Sequence, residues 1–455
     1  MTSRDSTAKD WVIEQATAAD LRLVRFLYCD YGSTIRGKAT HLAHLNKRLD
    51  EGIALVTGQL AMNGLDDLQV IPGMTAVGEV RIVPDPESFV IVPYAPRTGS
   101  MMSDLMQLDR KPWPACPRLF LRRMVDAASR RRVRVETAFE IEFFLARETD
   151  TGFVPIDDSL CFSTIGMDSA ARFTDDLIAA LEAQGIQLEL ALPEYGSGQQ
   201  EISIRHAAPL KAADNQLRVR DTARAIAAQH GFVASFAAKP FPDQIGSGAH
   251  CHLSIWDTIT GDNLLYDATQ PYGFSEAGRH FAAGILHHLP ALAAITCPSV
   301  NSYHRLQPHA WASAFVCWGF DNREGAVRVP STFWGREQAT SNLELKTVDN
   351  SCNPYLALGA IIVAGLDGLE KKLDPGPPLD IDPGLVPESE REGRGLRPLP
   401  RSLDEALDNL QQDKLLMAAM GETLAQAFIS VRRSEAATYR DQPEEFEFAS
   451  HFRRY

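Results

Sequence analysis

At 455 residues the chain exceeds one small core and has room for two or three domains. Its 45 Lys and Arg stand against 59 Asp and Glu, and the formal charge of −14 argues against a nucleic-acid backbone as partner while allowing a locally basic site. The opening MTSRDSTAKD lacks the apolar core of a signal peptide, and the most apolar tract, ALGAIIVAGL from Ala357, is too short to span a bilayer, so a cytoplasmic protein without a membrane partner is expected.

Up to about Asp109 short β-type runs, LRLVRFLYCDY and SFVIVPYA among them, are broken by Gly and Pro, and VPDPE turns the chain between two of them. A small strand-rich domain over residues 1–110 is expected. After the proline-dense KPWPACP, the segment RLFLRRMVDAASRRR has helical apolar spacing and opens a larger domain, residues 111–455. There, strand-like segments (VRVETAFEIEFFLA, QQEISIRH, GAHCHLSIW, GAVRVP, NLELKTV) alternate with helix-like ones (TDDLIAALEAQG, KAADNQLRVRDTARAIAAQHG, PYLALGAIIVAGLDGLEKKL), which predicts an α+β fold. Residues 374–400 form a Pro/Gly-rich excursion before two expected final helices. Seven scattered cysteines (Cys29, Cys116, Cys161, Cys251, Cys297, Cys317, Cys352) never form C-x-x-C and are read as free thiols.

Alternation along strands puts Glu136, Glu140 and Glu142 on one face and Phe139, Ile141 and Phe143 on the other. It likewise groups Glu201, Ser203 and Arg205; His250, His252 and Ser254; and Glu344 with Lys346. Each strand alone fits an ordinary half-buried sheet. Four of them side by side would enclose a funnel of converging carboxylates, which repel one another and resist desolvation unless cations neutralise them. Oxygen-rich ligands with an imidazole suit Mg²⁺ or Mn²⁺, ions that also neutralise phosphates in phosphoryl transfer.

In order, AFEIEFFL, PEYGSGQQE, GSGAHCHLS, NSYHRLQP, DNREGAVRVP and NLELKTVDNSCNPYLALGAIIVAGLDG resemble the successive signatures of the glutamine synthetase family, through to the C-terminal FEFASHFRRY. STIRGKATHL and GEVRIVPDP resemble its N-terminal β-grasp domain. The resemblance implies that domain followed by an open β-barrel with outer helices, and a dodecamer of two hexameric rings in which one subunit's N-terminal domain completes the next subunit's site. It implies two or more divalent ions per site: Glu142, Glu194 and Glu201 match the ligands of one, and Glu140, His250 and Glu344 those of a second. His252 and Ser254 match positions near the nucleotide, Arg323 and Arg328 the arginines facing its phosphates, and Arg305 with Gly246 the glutamate-binding set. The implied chemistry uses ATP to phosphorylate the γ-carboxylate of glutamate, after which an amine displaces phosphate. Arg323 and Arg305 are the catalytic candidates.

Three departures from the family bear on substrate. Where ammonia-using members read like R-L-V-P-G-Y-E-A-P, with an acid that takes a proton from ammonium, this chain reads RLQPHAWAS, and Trp311 occupies the acid's position. Trp311 is either a core filler or the wall of an amine pocket, extended by Trp318 and Trp334. Ile245 replaces the asparagine before Gly-Ser-Gly, and Lys346 replaces an arginine, keeping charge but losing the bidentate fork while remaining in the glutamate-binding set. LRPLPRS, with Arg397, stands where bacterial members carry an adenylylated tyrosine, so no such control is expected. An apolar amine such as isopropylamine or aniline is the expected acceptor. An arylamine is largely neutral near neutral pH; an alkylamine would need a base from Asp66, Asp67 or His309. The competing readings are an ammonia-using glutamine synthetase, a guanidino kinase and a non-catalytic regulator.

Overall fold

Two sheets, one on each side of the KPWPACP segment, organise the chain. The computed structural model describes residues 3–455. Six strands build the first sheet: β1 (Leu23–Cys29), β2 (Ile35–His41), β3 (Ile53–Val56), β4 (Glu79–Pro84), β5 (Val90–Ile91) and β6 (Thr98–Met106). Their order is β2-β1-β6-β4-β3 with β5 also on β6, and only the β1–β6 pair is parallel. The helix Leu45–Glu51 turns Leu45 and Leu49 inward, giving the β-grasp arrangement.

The second sheet has nine strands: β7 (Val133–Thr149), β8 (Gly152–Pro155), β9 (Leu188–Pro193), β10 (Gln199–Ile204), β11 (Val233–Ser235), β12 (Ala249–Asp257), β14 (Trp318–Phe320), β15 (Val327–Val329) and β16 (Leu343–Leu345), while β13 (Phe315–Val316) pairs elsewhere. The main path runs β14-β15-β16-β12-β7-β10-β9, and the end strands β14 and β9 leave it open. One face is apolar: Phe139, Ile141, Phe143, Cys251 and Leu253 are buried beneath outer helices, among them Pro117–Arg130, Pro209–Gln229, Glu276–Thr296 and Pro354–Lys371. The last two helices cross so closely that a Cβ on Gly284 would lie 2.1 Å from the Ala364 carbonyl oxygen. Asn353 starts the Pro354–Lys371 helix by accepting from the Tyr355 and Leu356 amides.

After the Pro/Gly-rich excursion come four helices of a turn or more in place of the two expected: Leu403–Gln412, Lys414–Met420, Glu422–Arg440 and Glu444–Arg454. Asp413 caps the second through the Leu416 amide, and Gly421 at φ +79° separates it from the third. All seven cysteines are free, and all but Cys161 are buried. Among the described residues no helix is long and apolar enough to cross a membrane.

Buried polar contacts join the two sheets. Arg118, at the start of the linker helix, bonds Asp85 at 2.8 Å and Asp104 at 3.0 Å beside the first sheet and Asp214 at 3.0 Å beneath the second. Ser33 donates to the Cys352 carbonyl at 2.6 Å, and Arg220 reaches Ser33 Oγ at 2.8 Å. Burial pushes the Asp85 carboxyl up, but Arg118 and Arg122 outweigh it and hold the group below its ordinary range. Arg118→Met would strand three carboxylates and is expected to cost about 3–5 kcal/mol, read as a lower denaturation midpoint at neutral pH. With its folded pKa depressed, Asp85 contributes stability above the unfolded carboxylate pKa and loses it as pH falls through the depressed value. The gap between variant and wild type should therefore narrow in acid; equal midpoints at neutral pH would contradict the assignment.

Candidate active site

Register along the second sheet decides which polar side chains meet. On β7, Glu140 lies opposite His250 of β12 and Ser203 of β10, while Glu142 lies opposite Glu201. Glu344 of β16 lies opposite both His252 and Arg328. Residues paired across strands project to the same face, so these side chains share the face away from the helices.

Two electrostatic environments result. Around Glu140 and Glu344 the protein supplies its own cations. His252 Nε2 lies 3.1 Å from Glu140, His250 Nδ1 lies 3.4 Å from Glu140 and 3.3 Å from Glu344, and Lys346 Nζ donates to Glu344 at 3.1 Å. Arg328 Nε donates to the other Glu344 oxygen. Burial opposes ionisation of both acids. His252 and His250 nevertheless hold Glu140 far below the usual range, and Lys346 with His252 does so for Glu344. Burial pulls His252 down, but Glu140 and Glu344 overcome it and carry its pKa to about 9.

Glu194 and Glu201 have no Lys, Arg or His ion-pair partner among the described residues, and Glu142 has only His250 at 3.5 Å. Glu142 accepts from the Gly248 amide at 2.8 Å and from Gln199 Nε2 at 3.2 Å, and Glu194 accepts from the Tyr195 amide at 2.9 Å. Burial first and Glu142 second push Glu194 up to about 7. Burial and the charges of Glu140, Glu142 and Glu194 push Glu201 up to about 9. Glu194 and Glu201, both destabilised as anions and grouped with Glu142, make a site fitted to a divalent cation, whose charge would remove the penalty. On the neighbouring side, candidate ligand atoms of Glu140, His252 and Glu344 lie within 4.8 Å of one another. His250, the imidazole ligand expected from the sequence, is nearly as near these two acids as His252 is to Glu140, so either ring can face an ion held there. His250 is wedged deeper, with Arg305 Nη2 at 3.3 Å from its Nε2 and Glu142 Oε1 at 3.5 Å. The carboxylate and imidazole donors suit Mg²⁺ or Mn²⁺.

Gly246 and Arg305 are in direct contact. A Cβ at Gly246 would meet Arg305 Cγ at 2.6 Å, and one at Gly248 would meet Arg305 Nη2 at 2.7 Å, so glycine at both positions lets the buried guanidinium pass. Arg305 Nη2 donates to the Lys346 carbonyl at 2.9 Å, whereas Nη1 is buried without a partner among the described residues. Ser254, nearer the rim, accepts from the Trp256 indole at 2.9 Å. Glu136 is taken up by Arg134 and stays outside the cluster.

Trp311 is no core filler: it is 56% exposed, stands in left-handed backbone at φ +51°, and lies under the Arg323 guanidinium, 5.9 Å from its ring centroid. Arg323 is exposed at this rim, although its charge still lowers Glu194. Trp318 corrects the expectation of a pocket wall; it is 2% exposed and packs against Phe274 and Phe320. Trp334 is fully exposed. Asp66 pairs with Arg36 at 2.6 Å, and His309 with Asp382 at 2.7 Å. Sequence reasoning missed Gln199, Asn342 and Asn350, which hold Glu142, His252 Nδ1 and the β7 backbone respectively. Gln199 stood in a quoted motif, but only its contact with Glu142 marks it.

Relieving one like charge should separate stability from metal binding. Metal-free Glu201→Gln is expected to melt no lower than metal-free wild type, while the rise in melting temperature on adding Mg²⁺ or Mn²⁺ shrinks. For wild type that rise corresponds to about 2.7 kcal/mol at a hundredfold excess over Kd. An undiminished metal response would remove Glu201 from the ligand set.

Comparison with known proteins agrees with this arrangement. The glutamine synthetase N-terminal domain matches residues 7–113 and the glutamine synthetase catalytic domain residues 114–451. A gamma-glutamylpolyamine synthetase of Streptomyces coelicolor is 37% identical over 364 residues, covering 79% of this chain and 78% of that protein. A glutamine synthetase of Mycobacterium tuberculosis is 34% identical over 454 residues, covering 97% of this chain and 98% of that protein. A solved GmaS–ADP complex superposes with a TM-score of 0.84 at 27% identity, covering 96% of this chain and 98% of that one. With both domains matched almost end to end around a funnel of acids and histidines, the chain belongs to the glutamine synthetase family.

Proposed function

We propose that the chain is an ATP-dependent ligase that joins the γ-carboxylate of glutamate to a primary amine carrying an apolar alkyl or aryl group, isopropylamine and aniline being examples. Trp311 carries this reading. Its exposed ring stands at the rim where ammonia-using relatives have an acid, and it offers an apolar surface to a substituent on nitrogen. The orphaned Nη1 of Arg305, beside Gly246 and Lys346, suits a substrate carboxylate.

A carboxylate oxygen of glutamate attacks the γ-phosphorus of ATP, and ADP leaves with the electron pair of the broken P–O bond. The amine nitrogen then attacks the acyl carbon, and the C–O bond breaks to release phosphate. Arg328 and Arg323 offer positive charge for the transferred phosphoryl group, and His252 and Ser254 line the nucleotide side. Glu142, Glu194 and Glu201, with Glu140, Glu344 and the two histidines, would hold Mg²⁺ or Mn²⁺, ions that screen phosphate charge when bound.

A polyamine acceptor is the second reading, favoured by the similarity to the gamma-glutamylpolyamine synthetase. The division at residue 110, a cytoplasmic setting and a dodecamer of two hexameric rings belong to the same proposal. Leu68, Val70 and Val77, all exposed on the first domain, suit burial against a neighbouring subunit. Light scattering should return twelve subunits; an active monomer would refute the assembly.

The deciding measurement is phosphate release with ATP, Mg²⁺ and glutamate plus ammonium, ethanolamine, putrescine, isopropylamine or aniline, with product masses checked. Turnover with an apolar amine well above that with ammonium is expected, and preference for ammonium would overturn the reading of Trp311. Trp311→Ala should lower kcat/KM for the preferred amine by about tenfold or more, the worth of lost pocket contacts. Phosphate release without amine should persist in that variant.

A further inference from the structure

Glu324 has no role in the chemistry described so far, and its position is unusual for an acid. It is 6% exposed, yet among the described residues no Lys, Arg or His forms an ion pair with it. Its Oε1 accepts one hydrogen bond, from the Trp311 backbone N–H at 2.8 Å. Its Oε2 accepts none among the described residues.

A tight turn just before β15 places this carboxylate against the Trp311 loop. Arg328 lies opposite Glu344, and the Ala326 carbonyl accepts from the Lys346 amide at 2.9 Å, so Arg328 and Ala326 share a face with Glu344 and Lys346. Glu324 sits two residues before Ala326 in a turn closed by the Gly325 amide donating to the Asn322 carbonyl at 3.1 Å, with its own amide donating to Asn322 Oδ1 at 3.0 Å, and the charge of Lys346 reaches its carboxylate. The Trp311 loop hangs from it: His309, Trp311 and Ser313 have φ of 62°, 51° and 69°, and the hydrogen bond to Glu324 pins the middle of that strained run.

The charged groups around Glu324 are accounted for. His309 is held by Asp382 at 2.7 Å, and the other Asp382 oxygen accepts from the Gly384 amide at 2.7 Å. Lys346 is bound to Glu344, and Arg323 lies over the Trp311 ring. Burial raises the Glu324 pKa, the Trp311 amide lowers it, Asp382 raises it, and His309 with Lys346 lowers it; the balance lies above the ordinary value, as suits a proton acceptor.

We propose that Glu324 binds the ammonium group of an alkylamine substrate and takes its proton, with the alkyl group on the Trp311 ring. This rests on the glutamate–amine ligase reading and narrows it to a protonated primary alkylamine. The alkylammonium gives one proton to Glu324 and becomes a neutral amine. Its nitrogen lone pair attacks the acyl carbon of γ-glutamyl phosphate, the C–O bond breaks, and the second proton leaves on the phosphate. Aniline, already neutral near neutral pH, has no use for this group.

The test compares full-length wild type, Glu324→Gln and Glu324→Asp in γ-glutamylamide formation. The substrates are aniline and whichever of ethanolamine, putrescine and isopropylamine the wild type uses fastest. Phosphate release without amine reports whether the first half-reaction survives. Glutamine keeps the acceptor for the Trp311 amide, so the loop has its anchor. The expected result is a loss of about a hundredfold or more in kcat/KM for the alkylamine with Glu324→Gln. That deficit should shrink as pH rises toward the amine's pKa, with aniline turnover and amine-free phosphate release near wild type, and with partial recovery in Glu324→Asp. Unchanged alkylamine turnover in Glu324→Gln, an equal loss in all assays, or a wild type that uses aniline alone would each overturn the role of Glu324 and leave the ligase reading standing. A wild type forming no amide with any amine would overturn the ligase reading and this role together.

Discussion

Repulsion among Glu140, Glu142, Glu194, Glu201 and Glu344 is the constraint on which the rest of the site depends, because strand pairing forces four of these acids onto one face of one sheet and the loop after β9 brings Glu194 within reach of Glu142. The protein meets it unequally. Around Glu140 and Glu344 it places two imidazoles, a lysine and an arginine, and both acids stay firmly ionised. Around Glu142, Glu194 and Glu201 it places amide donors and leaves two of the three acids pushed toward the neutral form. One half of the funnel is therefore settled in the folded chain, while the other half remains a source of strain that a bound cation would relieve. A cation held here would be bound partly at the expense of that repulsion, which costs stability in the metal-free protein.

Such a face persists only if its backbone cannot relax outward. Asn350 Nδ2 donates to the Glu142 and Gly248 carbonyls at 3.0 and 3.1 Å, tying β7 to the segment that leads into β12. Arg432, fully buried, reaches Glu435 at 2.7 Å and the Ser351 carbonyl at 3.3 Å, connecting the C-terminal helices to the same region. Asn353 caps the apolar helix Pro354–Lys371 and also donates to the Cys29 and Asp30 carbonyls of the first domain. The short DNSCN run after β16 thus fastens three parts of the molecule behind the acids. Buried amides suit this purpose because each one can donate and accept without adding charge.

Period-two alternation made the acid face legible, since Glu140 and Glu142 could share a face only with their apolar neighbours turned the other way. The helix Pro354–Lys371 was equally plain, because an apolar run that long with Asn-Pro in front has one reading. Register was not legible: that Glu142 meets Glu201 while Glu140 meets His250 depends on strands distant in sequence. Trp318 was misread because proximity in sequence to Trp311 says nothing of facing, and it lies on a strand that turns it into the core. The split of the C-terminal region was hidden because helix-friendly residues run through it, and the breaks rest on one capping aspartate and one glycine in left-handed backbone. Glu324 stood inside DNREGAVRVP without a role, and only its bond to the Trp311 amide marks it.

That last case bears on how an amine site can change without loss of the fold. An acid carried by the His309–Ser313 loop would move whenever the loop moved, so altering the loop for a larger substrate would also displace the charge. Glu324 instead leads into β15, two residues from a backbone bond to the strand that carries Glu344 and Lys346. Its place is set by a turn held by Asn322, and the loop is tied to it through the Trp311 amide. Under the proposed role, charge and shape are separated: the turn before β15 would carry the proton acceptor, and the His309–Ser313 loop presents an indole ring. With an acid already in this turn, an acid at position 311 would be a second negative charge close to it, repelled by the first, and a large apolar side chain with a neutral amide N–H for Glu324 is the better occupant.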